Sequence, residues 1–308
     1  MNDQHLPMET QQQLGAGLGN RISNQDTASL FCPACCQIIG HQLLYSIRDC
    51  DILRCRGCGL GRAEAQAFNP TSYYTSDYFS GRRSDGYANY LGSELVLRRE
   101  FARTVKFIRK WRSRGRLLDV GCAYGYFLQE AKPYFDVFGI ELAADAAIHC
   151  HKSGLQVFTG TADETTLRQI GSTDVIVLLD VIEHLPDPRE TLRLLTRHLN
   201  PGGIIIITTG DFDSHVARFF GRRWRLMTPP QHLWFFSRDS LRKIASSLGL
   251  RLEHVDHPWK IVPLSLMVFQ LRRMLRLPAH LRSRGVNIGL PVNLFDAVRL
   301  VLRKPHNE

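Results

Sequence analysis

Four of the eight cysteines fall in two pairs, CPAC at Cys32 and Cys35 and CRGC at Cys55 and Cys58, with nineteen residues between the pairs. Tetrahedral zinc takes four thiolates at about 2.3 Å, and two tight CxxC turns deliver them two at a time. Disulfides are rare in a reducing cytoplasm, and a redox CxxC would not come twice. The spacing therefore predicts a structural Zn2+ held by Cys32, Cys35, Cys55 and Cys58. Such a site has no open coordination position, so its ion folds the chain rather than doing chemistry. Gly57 and Gly59, flanking Cys58, suit the left-handed turn of such a knuckle.

A second group of residues could bind a ligand. Residues 117–128 read LLDVGCAYGYFL: an apolar run, an acid, then Gly121, Ala123 and Gly125 spaced two apart. A dinucleotide loop wants G-x-G-x-x-G, its middle glycine admitting the pyrophosphate, and alanine stands in that place here. A phosphate-binding P-loop wants Gly-Lys-Ser/Thr, which does not follow. Asp119 would repel a phosphate and suits an ammonium or sulfonium group. Glu141 ends the next apolar run about twenty residues on, where an acid binds ribose hydroxyls. An adenosine with a cationic end and no pyrophosphate answers these demands, and S-adenosylmethionine is that molecule. Taken singly, Asp119 reads equally as a helix-capping acid and Glu141 as a surface acid at a strand end.

LLDVGCAYG, the acid in GIEL, GTADE, DVIVLLDVIEHLPDP and NPGGIIIITT follow one another in order. The series resembles the class I S-adenosylmethionine-dependent methyltransferases over residues 116–257, with a last strand at about 296–304. The resemblance implies that Asp119, Gly121, Ala123 and Gly125 hold the methionine portion, with Asp180 also at the cofactor. It further implies that Glu141 takes the ribose and that Asp163 lies near the adenine amine. Ala123 departs from the commoner glycine and narrows the loop slightly.

Transfer to oxygen or nitrogen needs a base near the methyl group. Asp180, Glu183 and His184 follow the fourth apolar run, at the edge where open α/β sheets place their sites. They resemble the Glu-x-x-Glu-His segment of ubiquinone-type O-methyltransferases, in which acids and histidine can bind a divalent metal such as Mg2+. Aspartate in the first place departs from that pattern. Asp187, before Pro188, reads as a helix cap. His232, in TPPQHLWFFS, is a second candidate base; similar P-x-H-x-x-x-F segments occur in the family subgroup with amino-terminal zinc knuckles. It also reads as a packed loop histidine. Tyr73, Tyr74 and Tyr78 either fold over the pocket, since aromatic faces attract a sulfonium, or pack the knuckles against the main domain.

Elements must position these groups. RLLDV, VFGIEL, LQVFT, DVIVLLD and GIIIITT read as strands, separated by helical YFLQEAKPY, AADAAIHCHKS, ETTLRQI and PRETLRLLTRHL. This alternation predicts an α/β, Rossmann-like fold with a mostly parallel sheet and helices on both faces. SRDSLRKIASSLGL reads as a helix, and RLEHVDH and DAVRLVLRK as two last strands, making seven. Ahead of the sheet, ELVLRREFARTVKFIRKW has Leu95, Leu97, Phe101, Val105 and Ile108 near a helical period. The expected division is a disordered tail at 1–28, a zinc ribbon at 29–65, an aromatic lid and helical linker at 66–112, and the methyltransferase domain at 113–308. A basic insertion at 258–294 interrupts the last of these. GAGLG in the tail follows no strand and reads as flexible.

With 308 residues, 44% hydrophobic and 22% charged, the composition is that of a globular chain. No apolar run approaches the roughly 18 residues of a membrane span, and the amino terminus lacks a basic and apolar leader, so a cytoplasmic chain is expected. The net charge of +10 is uneven: from Trp259 onward nine cations face only Asp296 and Glu308. The basic amphipathic stretch at 258–285 reads either as a peripheral membrane contact or as a helical hairpin over the substrate with its arginines in water. The subgroup resemblance implies a small-molecule, sugar or lipid-linked acceptor, most readily through O-methylation. Two other readings stand beside it. One is a zinc-ribbon RNA methyltransferase, compatible with the basic charge but lacking an Asn-Pro-Pro-Tyr-like motif and aromatic residues interleaved with the knuckle's cations. The other is a non-catalytic cofactor-binding scaffold, against which the acids at 119, 141 and 163 argue.

Overall fold

The computed structural model describes residues 27–47, 49–64, 73, 79, 90–274 and 288–306. GAGLG, Tyr74, Tyr78 and the arginine-rich residues 275–287 lie outside the described residues.

β1 (Thr27–Cys32), β2 (Gln37–Ile47), β3 (Cys50–Cys55) and β4 (Gly61–Glu64) form an antiparallel meander with one knuckle at each of two turns. In both knuckles the residue after the second cysteine donates its N–H to the carbonyl of the first. Cys36 reaches Cys32 at 2.8 Å and Gly59 reaches Cys55 at 2.9 Å. Both of these residues are left-handed, with φ of 56° and 73°. The expectation for Gly57 is thereby corrected. It is not left-handed; a side chain there would meet Ile39 at 2.6 Å.

The main sheet is built from β5 (Arg116–Val120), β6 (Asp136–Glu141), β7 (Gln156–Thr159), β8 (Thr173–Leu179) and β9 (Leu199–Gly210), all parallel. After the two-residue β10 (Trp234–Phe235) come β11 (Arg251–Asp256), β12 (Lys260–Pro263), β13 (Gly289–Val292) and β14 (Ala297–Arg303). β14 inserts antiparallel between β9 and β11, giving the order β11-β14-β9-β8-β5-β6-β7. The sheet is therefore mixed, with a parallel centre. Its strands read as continuous apolar runs because both faces are covered. Leu117, Val175, Val177, Ile204, Ile206 and Val301 join one core; their neighbours Leu118, Ile176, Leu178, Ile205, Ile207, Leu300 and Leu302 join the other.

Helix Glu94–Ile108 closes one face through Val105 and Ile108. Of its periodic residues, Leu95 is exposed and Val96 is buried instead. On the other face, helix Pro188–Arg197 starts where Asp187 accepts the Glu190 N–H at 2.9 Å, with proline in the first turn. Helix Arg238–Ser247 starts on a Ser237–Ser240 capping box.

The ribbon is not a detached appendage. β10 pairs with β4, so the ribbon sheet runs β1-β2-β3-β4-β10. Arg54 pairs with Asp213 at 2.5 Å, and Lys243 donates to the Gly57 carbonyl at 2.9 Å. Residues 258–294 hold the β12–β13 hairpin and helix Leu264–Met274.

Candidate functional site

The four knuckle sulfurs lie within 4.8 Å of one another. Cys32 and Cys58 are 3.5 Å apart, and Cys35 and Cys55 3.8 Å. Tetrahedral zinc with bonds of about 2.3 Å separates its sulfurs by about 3.8 Å, so the quartet fits that ion. Without a cation these thiols compete for protons: their mutual hydrogen bond pushes Cys32 down to about 3 and Cys58 far up.

At the carboxyl edge of the main sheet, β5 lies between β8 and β6, the point where chain order reverses and crevices form. The glycine turn follows β5. Gly121 and Gly125 are left-handed, with φ of 76° and 75°. A side chain at Gly121 would meet Val181 at 2.7 Å, and one at Gly125 would meet Leu155 at 2.5 Å. Ala123, between them, is also left-handed at φ 47°, so the alanine does more than narrow the loop: it carries backbone strain of about 1 kcal/mol.

Asp119 sits inside β5 and is 3% exposed, which excludes a helix-capping role. Burial, then the Glu141 charge, pushes its carboxyl well above the usual range. Glu141 ends β6 and is also buried, not a surface acid. It accepts the Ala123 N–H at 2.7 Å and the Ala143 N–H at 2.8 Å. Burial still raises its pKa despite those bonds. Each of its oxygens keeps a second lone pair for a ribose hydroxyl. Asp163 is exposed and caps helix Glu164–Ile170, accepting the Thr166 N–H at 2.8 Å, and that bond lowers its pKa.

The other half of the site faces β8 and β9. Asp180 follows β8 in a left-handed conformation, φ 57°, with its side chain half exposed. Thr208 of β9 donates to it at 3.0 Å, and Lys260 of β12 pairs with it at 2.5 Å. Desolvation opposes its ionisation, but Lys260 and Thr208 outweigh this and lower its pKa. Asp180 is thus committed to a lysine.

The next turn, Ile182–His184, brings Glu183 and His184 against His232. The His184 and His232 rings meet edge-to-face at 4.7 Å. The Nδ1–H of His184 donates to the Gln231 carbonyl, and that of His232 to the Leu226 carbonyl, each at 2.7 Å. Glu183 is 5% exposed. Burial, then the Asp180 charge, pushes it up to about 8. Burial also lowers the His184 pKa. The grouping of Asp180 with Glu183 and His184 as one divalent-metal set is therefore corrected. Asp180 faces Lys260, and His232 takes its place beside the other two.

The loop bearing His232 is held from three sides. Leu233 donates to the Glu183 carbonyl and accepts from Ala63 of the ribbon, both at 2.9 Å. The Trp234 indole donates to Leu185 at 2.8 Å. Tyr73 is buried and donates to Gln231 at 2.9 Å, which brings it to the site. Lys260, Thr208 and the meeting of the two histidines were missed from sequence. Only an extended apolar run after His257 hinted that Lys260 would sit on a strand.

A family model for a methyltransferase domain matches residues 94–255. The ubiquinone biosynthesis O-methyltransferase of Caulobacter sp. (strain K31) is 30% identical over 142 residues, covering 41% of this chain and 56% of that protein. The Methylococcus capsulatus protein of the same name is 35% identical over 125 residues, covering 38% and 53%. The chain thus spans little more than half the length of these two relatives. That of Xanthomonas axonopodis pv. citri is 33% identical over 162 residues, covering 47% and 68%. A chain from the complex of the Haloferax volcanii Trm112 methyltransferase activator with a methyltransferase superposes at a TM-score of 0.50 and 14% identity, over 78% of this chain and 100% of that one. At that identity the likeness concerns the fold alone. The domain match, the Xanthomonas relative and the reversed strand order at the glycine turn agree, and the chain belongs to the class I S-adenosylmethionine-dependent methyltransferases.

Proposed function

We propose that this protein transfers the methyl group of S-adenosylmethionine to an oxygen of a small-molecule, sugar or lipid-linked acceptor. The observation that carries the reading is the buried Asp119–Glu141 pair beneath the left-handed glycine turn. Two neighbouring buried acids favour a ligand that brings positive charge, and the cofactor's ammonium and sulfonium do so. In this reading Asp119 and the turn hold the methionine end, Glu141 the ribose, and Asp163 the adenine edge. The acceptor oxygen attacks the methyl carbon in line, the carbon–sulfur bond breaks, and S-adenosylhomocysteine leaves. Alignment supplies much of the acceleration. The hydroxyl proton goes to the Glu183–His184–His232 cluster, the basic atoms of the acceptor half. The knuckles hold structural Zn2+.

Mg2+ on Asp180, Glu183 and His184 does not fit, because Lys260 already neutralises Asp180. The acceptor's lipid character finds support in the insertion. Trp259, Val268, Leu271, Ile288 and Leu290 are exposed there, in a segment whose sequence is rich in arginine. Such a face suits an anionic membrane surface. Among the described residues no helix is long and apolar enough to cross a membrane.

Methyl-labelled S-adenosylmethionine, incubated with the purified protein and an extract of cells lacking its gene, tests the proposal. Label is expected in the lipid or small-molecule fraction. Label confined to RNA would replace the acceptor assignment, and absence of S-adenosylhomocysteine binding would overturn the cofactor assignment. Equal sedimentation with neutral and anionic vesicles would remove the membrane contact.

A further inference from the structure

Lys260 stands at the site without a task in the methyl-transfer reading. It lies beyond residues 94–255, which the family model matches, on the β12–β13 hairpin. That hairpin is fixed at its ends and along its length. Before it, the Nδ1–H of His257 donates to the Ala297 carbonyl at 2.8 Å; after it, Asn293 donates to the His257 carbonyl at 3.0 Å. On β12, Ile261 donates its N–H to the Glu100 carboxylate at 2.6 Å. On β13, Gly289 lies so close to helix Glu94–Ile108 that a side chain there would meet Val96 at 2.5 Å. Lys260, next to Ile261, is thereby delivered to a set place at the carboxyl end of β8, where its ammonium pairs with Asp180.

That place borders the glycine turn. β8 pairs with β5, and Val181, the neighbour of Asp180, lies where a side chain at Gly121 would meet it at 2.7 Å. An ammonium has three N–H donors, and among the described residues Lys260 uses one, on Asp180. Two remain for a ligand, and the pair is open to one, with side-chain exposures of 28% for Lys260 and 50% for Asp180. The Asp180 carboxylate keeps the lysine charged and aims it, while Thr208 holds the other carboxylate oxygen at 3.0 Å. In the Glu-x-x-Glu-His pattern the first acid helps to bind a divalent ion. Here the shorter aspartate stands in that place, and a metal ion on it would lie against the ammonium and be repelled. The positive charge at this point comes from the chain itself.

We infer that Lys260 is a catalytic residue, its ammonium holding the acceptor oxygen while that oxygen gains negative charge, in place of a divalent metal ion. The inference rests on the methyl-transfer reading. As the hydroxyl proton passes to the basic cluster beside it, the oxygen's electron pair attacks the methyl carbon. The carbon–sulfur bond breaks and its pair stays on sulfur. Lys260 keeps its own proton throughout; it contributes charge and a hydrogen bond at the developing oxyanion. Lysine suits this task as a compact charge with rotatable donors, able to hold Asp180 and the acceptor at once.

The test uses the full chain with its knuckles loaded with zinc. Protein and cell extract are passed over a chelating resin, and ribbon zinc is verified afterwards. Transfer from methyl-labelled S-adenosylmethionine is then timed at serial dilutions of the extract, which separates kcat from the apparent KM. The wild type should keep its rate with or without added Mg2+ or Mn2+. Lys260→Met should lose roughly 100–1000-fold in kcat, the cost of one oxyanion donor. Its S-adenosylhomocysteine affinity should stay within about threefold, as for an independent site. Lys260→Arg, which keeps the charge, or ethylammonium added to Lys260→Ala should restore turnover, which a merely structural lysine would not allow. Circular dichroism identifies a variant that fails to fold, in which case Lys260→Gln replaces Lys260→Met. A wild type that needs added metal, a loss confined to KM, or recovery by neither arginine nor the amine would each overturn the inference. Equal transfer by Lys260→Met and wild type would overturn this inference alone. A wild type that binds S-adenosylhomocysteine yet labels nothing in the extract would overturn the methyl-transfer reading, and the role of Lys260 with it.

Discussion

The two halves of the site are built on different principles. The half proposed to hold the cofactor comes from one short stretch: Asp119, the turn at 121–125 and Glu141 lie within twenty-three residues and are joined by the Ala123–Glu141 hydrogen bond. The half proposed to take the acceptor is assembled from the turn at 180–184, the loop at 224–235, β12 and the zinc ribbon. A local half forms wherever its strands pair. An assembled half depends on every partner that supports it, so damage far away should reach it first.

The largest effect expected from this contrast concerns the ribbon. Structural zinc supplies folding free energy on the order of 10 kcal/mol. Because β4 pairs with β10, Cys55→Ser or strong chelation should release the loop carrying His232 and abolish methyl transfer. Cofactor affinity should stay within about threefold, as distant sites act independently. Calorimetric binding of S-adenosylhomocysteine beside the transfer assay checks this; parallel loss of both would erase the distinction between the halves.

Asp119→Asn makes the converse break. Losing a charge-assisted contact worth about 1.5–3 kcal/mol should weaken cofactor binding about 10–100-fold while the two histidines stay in place. Stability should hold or rise, because the substitution removes a buried carboxyl. Asp119 and Glu141 both have raised carboxyl pKa values. Above the ordinary carboxylate range the folded, ligand-free protein thus binds more protons than the unfolded chain, and these acids lower its stability as pH rises. Binding of a cationic ligand should ionise them, so affinity is expected to strengthen with pH and protons to be released. Calorimetry in buffers of differing ionisation enthalpy would count those protons, and Asp119→Asn should remove most of them.

Smaller effects sharpen the comparison. Lys260→Met removes a partly exposed ion pair, so stability should change by less than about 1 kcal/mol. The Asp180 carboxyl should then titrate at higher pH, visible by carbon NMR. Ala123→Gly should stabilise by up to about 1 kcal/mol through relief of the left-handed alanine. The denaturation midpoint should rise at unchanged slope.

The same contrast explains what was legible beforehand. The seven strands, the parallel centre and the cysteine quartet follow from local patterns: apolar runs between helical periods, and paired CxxC turns. The placement of Asp119 and Glu141 on β5 and β6 was legible because strand ends are local and the crevice position follows from strand order. His184 and His232 were each noticed, but nothing in the chain between them signals that their rings meet at 4.7 Å. Lys260 looked like part of a charged surface until the β12–β13 hairpin brought it to Asp180. Leu95 was expected inside by helical period, yet it is exposed and its neighbour Val96 is buried instead.

By itself the sequence determined which elements form, where Asp119 and Glu141 stand and which thiols gather, because each depends on neighbours a few residues away or on a repeated spacing. Only the tertiary structure decided which acid a lysine neutralises, which histidines converge and that the ribbon's edge strand holds the loop of His232. Those outcomes depend on hydrogen bonds between segments fifty to two hundred residues apart, and side-chain direction across such a gap is set by packing, not by local preference.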